Sequence, residues 1–266
     1  MDYVIDFSCD DCEPLQRELN ELYGYADDLA SKVLHRARLN LFVLLTRRLR
    51  STGVMQQFGE ALDVGCNAGF YSHLISGLGF RHVLGIDVVP EMIATATRKF
   101  ASVTPGSSVE FRLMPAETLP PEPRYDFVLC TEVIEHTQQP ARVIENLRAI
   151  LAPGGVAIVS LPNRLSLPYV TAWASHRLRR RPRDENFEHH LEYPFTRTLR
   201  LFAGPDARVV TSTGTNLVWD DRLLRAVHGS RVFPALNRVQ FELGRRWPLK
   251  FATQFFYVVI HRDGGQ

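Results

Sequence analysis

The sequence predicts an α/β domain: a mostly parallel sheet with helices on both faces. Between residues 60 and 161, apolar runs rich in β-branched residues alternate with stretches of helical periodicity, a pattern that calls for parallel strands joined by crossover helices. A glycine-bearing loop, "GCNAG", follows the first run, where a tight turn lets the backbone approach a ligand at a helix N-terminus. With 266 residues, 45% hydrophobic and 23% charged, the chain can bury a full core around such a sheet.

Residues 1–55 read as an N-terminal helical cap. Within it 14–50 is helical, and Val33, Leu34, Ala37, Leu41 and Leu44 fall near one face. The core domain is expected over 56–266. Its first five strands are "EALDVG" (60–65), "RHVLGID" (81–87), "SVEFRLM" (108–114), "YDFVLC" (125–130) and "GGVAIVSL" (154–161). Helices fit at 69–78, 90–102 and 140–151. The last opens with Pro140, carries Val143, Leu147, Ile150 and Leu151 on one side, and stops at Pro153-Gly154-Gly155. A polar and basic stretch, 162–195, then interrupts the pattern as a substrate-facing insertion after the fifth strand. The core resumes with "ARVVTSTGT" (207–215), a helical segment through 219–243 and a final strand, "TQFFYVVIHR" (253–262). The cap and the insertion are expected to close over the carboxyl ends of the strands, where ligands of open α/β sheets sit.

The formal net charge of +2 is too small to argue for nucleic acid, and the one concentrated basic run, "RLRRRPR" (177–183), reads as a solvated face. No apolar run is long enough to span a bilayer, and the start, "MDYVIDFSCDD", is acidic where a secretory signal is basic. The expectation is a cytoplasmic protein without membrane contact; nothing indicates an oligomeric state. Cys9, Cys12, Cys66 and Cys130 lack a second C-x-x-C pair to complete a zinc site and read as free thiols.

Two stretches carry chemistry. In "ALDVGCNAGFYS", Asp63 precedes Gly65-x-Asn67-x-Gly69, which departs from the dinucleotide pattern G-x-G-x-x-G. The second strand ends in Asp87, placed either to accept from both ribose hydroxyls or to cap the helix that follows. In "CTEVIEH", Glu132, Glu135 and His136 share one face if the segment turns helical after its strand. They can then hold a metal, share a proton or face water.

Taken in order, "LDVGCNAG", "GIDVVPEMI", "MPAETLP", "YDFVLCTEVIEH" and "LRAILAPGGVAIVSLPN" resemble the successive motifs of class I S-adenosylmethionine-dependent methyltransferases. The resemblance covers residues 56–162 and implies a Rossmann-like seven-stranded sheet and an S-adenosylmethionine site. In that site Asp63, Gly65 and Gly69 shape the methionine pocket, Asp87 holds the ribose, Ala116 and Glu117 lie beside the adenine, and Asn67, Val88 and Thr131 are further cofactor-binding residues. The family's middle glycine is here Asn67, and the acid often found before "AE" is Pro115.

"NFEHHLEYPFTR" (186–197) supplies a second signal. With Glu132, Glu135 and His136 it resembles the metal site of small-RNA 2′-O-methyltransferases and related positions of ubiquinone-pathway O-methyltransferases. The resemblance implies a divalent cation, magnesium ahead of manganese or zinc, on Glu132, Glu135, His136 and His189, with His190 as competitor for the last place. The implied reaction is metal-assisted O-methylation of a small diol-bearing molecule, a sugar or a catechol-like natural-product intermediate, with His136 and Glu132 as catalytic residues. The alternatives are an RNA 2′-O-methyltransferase, a metal-independent enzyme using His136 as base, and a non-catalytic cofactor-binding partner.

Overall fold

Strand β1 (Glu60–Val64) lies inside a seven-stranded sheet of order β3-β2-β1-β4-β5-β7-β6. The computed structural model describes residues 29–100, 106–163, 165–167, 169–171, 195–204, 206–218, 221–228 and 230–263. Strands β2 (His82–Asp87) and β4 (Tyr125–Thr131) flank β1 in parallel, and β3 (Ser108–Leu113) and β5 (Leu151–Pro162) continue the parallel set. Strand β7 (Phe255–Arg262) returns antiparallel beside β5 and carries β6 (Ala207–Thr215) antiparallel at the edge. This is the expected Rossmann-like, mostly parallel sheet. Its central strands read as continuous apolar runs because both faces are covered.

One face packs Ala61, Val83, Phe111 and Phe127 against the N-terminal helix α1 (Leu29–Ser51), against Phe70 and Leu74 of α2 (Phe70–Ser76) and against α3 (Pro90–Phe100). The other packs Leu62, Val64, Val128 and Val159 against α4 (Pro140–Ala149) and Phe202 of α5 (Phe195–Phe202). The order of strands reverses between β1 and β4. Their pairing at Val64 and Cys130 sets the loop after β1 beside the turn after β4, the place where such sheets bind ligands.

Helix α1 enters the core: of the residues expected on one face, Val33, Ala37 and Leu41 are buried and Leu34 and Leu44 partly so, and Leu39, Phe42, Val43 and Leu45 are buried as well. One expectation needs correction. The segment 219–243 is two helices, α6 (Asp221–Val227) and α7 (Phe233–Gly244), the second opening with Pro in its first turn. Helix α5 occupies a stretch whose periodicity the polar insertion obscured. Residues 14–28 and most of 162–195, including the run 177–183, lie outside the described residues. Among the described residues no helix is long and apolar enough to cross a membrane. Cys66 and Cys130 are buried free thiols, whereas Cys9 and Cys12 fall outside the described residues.

Candidate active site

The loop after β1 has a backbone that few residues adopt. Gly65, Asn67 and Gly69 all have positive φ, at 71°, 47° and 87°. Asn67 occupies the middle position without glycine because asparagine tolerates the left-handed region, and its Oδ1 accepts from the Ala68 N–H at 2.7 Å. A Cβ on Gly65 would run into Val133 Cγ2, and one on Gly69 would meet Ala96 and Phe111. Gly65 thus keeps space open at the site, while Gly69 lets α2 close onto α3 and the sheet.

A cavity of about 710 Å³ opens over this loop, with Gly65, Asn67, Asp87, Val88, Ala116 and Glu117 in its wall. Asp87 ties the wall together. Its Oδ2 accepts from the Asn67 N–H at 2.8 Å and its Oδ1 from the Val89 N–H at 3.0 Å. Asp87 thus braces its own turn and also faces the cavity. Glu117 Oε1 accepts from the Gln138 N–H at 3.1 Å. Pro115, which stands where the resemblance often has an acid, also lines the cavity, as do Met114, Val133 and Gln139, whose apolar or uncharged side chains left no signal in the sequence.

Asp63 and Gly69 are outside that wall. Asp63 is buried beneath the loop, where its Oδ2 accepts from the Ser72 hydroxyl at 2.7 Å. Burial pushes its pKa up to about 7 against the pull of that hydrogen bond. It ties the end of β1 to α2. Thr131 lines a second cavity instead, of about 320 Å³, which shares Gly65, Asn67, Glu132 and His136 with the first.

The "CTEVIEH" stretch does not form the α-helical face that its spacing allows. Glu132 has φ 56°, a left-handed conformation, and only Ile134–His136 turn, as one short 3₁₀ element. The three side chains consequently share no helical face and meet different surroundings. Glu132 accepts from the Ser160 hydroxyl at 2.6 Å through Oε1 and meets Arg38 Nη2 at 3.2 Å through Oε2. Its own N–H donates to Ser160 Oγ at 3.1 Å. These contacts offset the roughly 1–2 kcal/mol that a left-handed non-glycine residue costs. Glu135 turns inward. Burial first, and the neighbouring Glu132 charge second, push its pKa up to about 9, and its Oε2 is buried with no hydrogen-bond partner. His136 faces the cavities, and its Nε2 lies 4.0 Å from Glu135 Oε1.

Arg38 and Tyr257 complete the second cavity, together with His35, Tyr71 and the apolar Phe42 and Ile158. Burial opposes the Arg38 charge, but Glu132, the two tyrosines and Glu135 outweigh it and hold the guanidinium above its ordinary pKa. The guanidinium also lies 4.1 Å from the Phe255 ring centroid. Sequence reasoning missed these residues. Arg38 left a trace, an arginine inside the apolar helix "LHRARLNLF", whereas Tyr257 and Ser160 sit unremarkably in strands.

Glu132, Glu135 and His136 are thus adjacent, yet among the described residues no group of three side chains is disposed as a metal site. His189 and His190 lie outside the described residues.

Comparison with known proteins places this geometry in a family. The model of the methyltransferase domain matches residues 33–225. A ubiquinone biosynthesis O-methyltransferase of Paraburkholderia phytofirmans is 37% identical over 113 residues, which are 42% of this chain and 47% of that protein. One from Xanthomonas axonopodis is 30% identical over 164 residues, 59% and 65% of the two chains. The chain spans about half the length of the first of these relatives. In fold, it is similar to the magnesium protoporphyrin IX methyltransferase of Synechocystis, solved with bound SAH, at TM-score 0.64 and 14% identity over 93% of this chain and 94% of that one. With the domain match running through α1, the glycine loop and the turn after β4, the chain belongs to the class I S-adenosylmethionine-dependent methyltransferase domain family.

Proposed function

We propose that the protein transfers the methyl group of S-adenosylmethionine to a hydroxyl oxygen of a small molecule bearing two neighbouring hydroxyls. The observation that carries this reading is the pair of cavities meeting at Gly65, Asn67, Glu132 and His136. The larger suits the cofactor, with Asp87 toward the ribose, Ala116 and Glu117 toward the adenine, and the loop 65–69 around the methionine end. The smaller suits an acceptor of modest size, a sugar or catechol-like intermediate. An RNA acceptor is the lesser reading, since the basic run 177–183 is its sole support.

Methyl transfer from a sulfonium is an in-line displacement that demands alignment and an activated oxygen. The seam of the cavities supplies alignment, with apolar Phe42 and Ile158 restricting water on the acceptor side. For activation the types of donor suit a divalent cation, magnesium ahead of manganese or zinc, on condition that Glu132 gives up its contacts with Arg38 and Ser160 so that the side chains converge. Two carboxylates and an imidazole adjoin, the buried Glu135 Oε2 lacks a partner, and the Glu132 charge works against ionisation of Glu135. Glu132, Glu135 and His136 would hold it with His189, and the cation would lower the pKa of the acceptor hydroxyl. The second reading is favoured by the contact of Glu132 with Arg38. While that pair is intact, His136 acts as the base without metal.

One experiment separates these readings: turnover of S-adenosylmethionine on a panel of diols, their singly deoxygenated analogues and RNA, with and without exhaustive chelation. Chelation that abolishes turnover, restored by added metal, supports the first reading, and failure of deoxy acceptors supports the diol. Full activity of metal-free enzyme leaves His136 as base. Absence of turnover with cofactor binding intact would leave a non-catalytic cofactor-binding protein.

A further inference from the structure

Helix α7 turns Phe233, Asn237, Phe241 and Gly244 into the domain, yet its outer side is not simply polar. Val232 (58% exposed), Leu236 (43%), Val239 (53%) and Leu243 (38%) form one stripe at i, i+4, i+7 and i+11. Trp247, just beyond the helix, is 77% exposed. Arg231, Arg238 and Arg246 are exposed on the same segment, and among the described residues no carboxylate pairs with them. The nearby Glu242 is taken by Arg245 at 2.9 Å. Single exposed leucines are ordinary, whereas a continuous apolar stripe with a basic flank marks an interaction surface.

We propose that α7 and Trp247 dock in plane on an anionic lipid surface. The stripe would enter the boundary between headgroups and acyl chains, with the arginines meeting lipid phosphates. An indole at the end of the stripe suits the headgroup level, having an apolar body and a polar N–H. Charge argues against a second copy of this chain. A two-fold pairing sets the same patch against itself, bringing Arg231, Arg238 and Arg246 toward their copies with, among the described residues of the segment, no carboxylate left to pair with them. The surface also adjoins the acceptor side of the molecule. Phe233 of α7 packs with Val33 of α1, the helix whose Arg38 lines the smaller cavity.

The test is co-sedimentation of the full chain with vesicles of phosphatidylglycerol mixed with phosphatidylcholine, and of phosphatidylcholine alone, at low and raised salt. Binding is expected to the anionic vesicles and to weaken with salt. Replacing Arg231, Arg238 and Arg246 by Gln should weaken it by about fivefold per arginine. Leu236→Glu with Val239→Glu should abolish it while leaving the circular dichroism and cofactor affinity of the wild type. Trp247→Phe should remove the lipid-induced blue shift of the fluorescence, a readout that stands even if the double variant folds poorly. Absence of binding to anionic vesicles, or binding indifferent to all these substitutions, would overturn the proposal. So would a solution dimer that the Leu236 and Val239 substitutions dissociate.

Discussion

Arg38 Nη2 lies 3.2 Å from Glu132 Oε2, joining the N-terminal helix to the turn after β4 across the smaller cavity. Both side chains are largely buried, at 15% and 13% exposure. Removing one partner leaves the other charge without compensation. Arg38→Met should therefore lower stability by about 3 kcal/mol, and adding Glu132→Gln should recover part of the loss. Chemical denaturation of the two variants and the wild type checks this. Equal stability of all three would mean that solvent already screens the pair.

Gly65→Ala should impair cofactor binding more than it impairs folding. The positive φ alone costs about 1–2 kcal/mol, and the new methyl group displaces Val133, which lines the larger cavity. Isothermal calorimetry with S-adenosylhomocysteine is expected to show affinity reduced by about tenfold or more. Wild-type affinity would show that the loop does not frame the cofactor.

Asp87→Ala should weaken S-adenosylmethionine binding by about 1.5–3 kcal/mol, the worth of charged hydrogen bonds to a ligand. The variant also leaves the Asn67 and Val89 N–H groups without their acceptor. Asp87→Asn loses the charge yet keeps one of the two backbone bonds, since its single amide oxygen can accept from either Asn67 or Val89 but not both. Unchanged affinity in both would remove Asp87 from the ribose site.

Glu135 gives stability a pH dependence of defined sign. Its folded pKa of about 9 lies above the ordinary 4.5, so between these values the folded state holds a proton that the unfolded chain has released. Stability is then lost as pH rises through that interval and levels off above it. Asp63, raised from 3.8 to about 7, acts in the same direction over its own lower range. Glu135→Gln should stabilise the protein by on the order of 2 kcal/mol at neutral pH, and the gain should vanish in acid. Melting temperatures across pH 4–9 test it. A gain that persists undiminished in acid would show that titration of Glu135 is not its source.

Alternating apolar runs, the glycine loop and Asp87 were enough for the sequence by itself to determine the sheet and to name residues that line its larger cavity. These are local signals: strand and helix periods, and a left-handed turn that only glycine or asparagine makes easily. The candidate catalytic turn was legible in composition but not in shape. Spacing allows Glu132, Glu135 and His136 one helical face, and only the tertiary structure decided otherwise. Ser160 and Arg38, from β5 and α1, hold Glu132 in a left-handed conformation that no neighbour in sequence imposes. The burial that raises Glu135, and the depth at which α1 enters the core, were likewise decided in three dimensions. Both depend on the packing of segments far apart in the chain, which periodicity does not record.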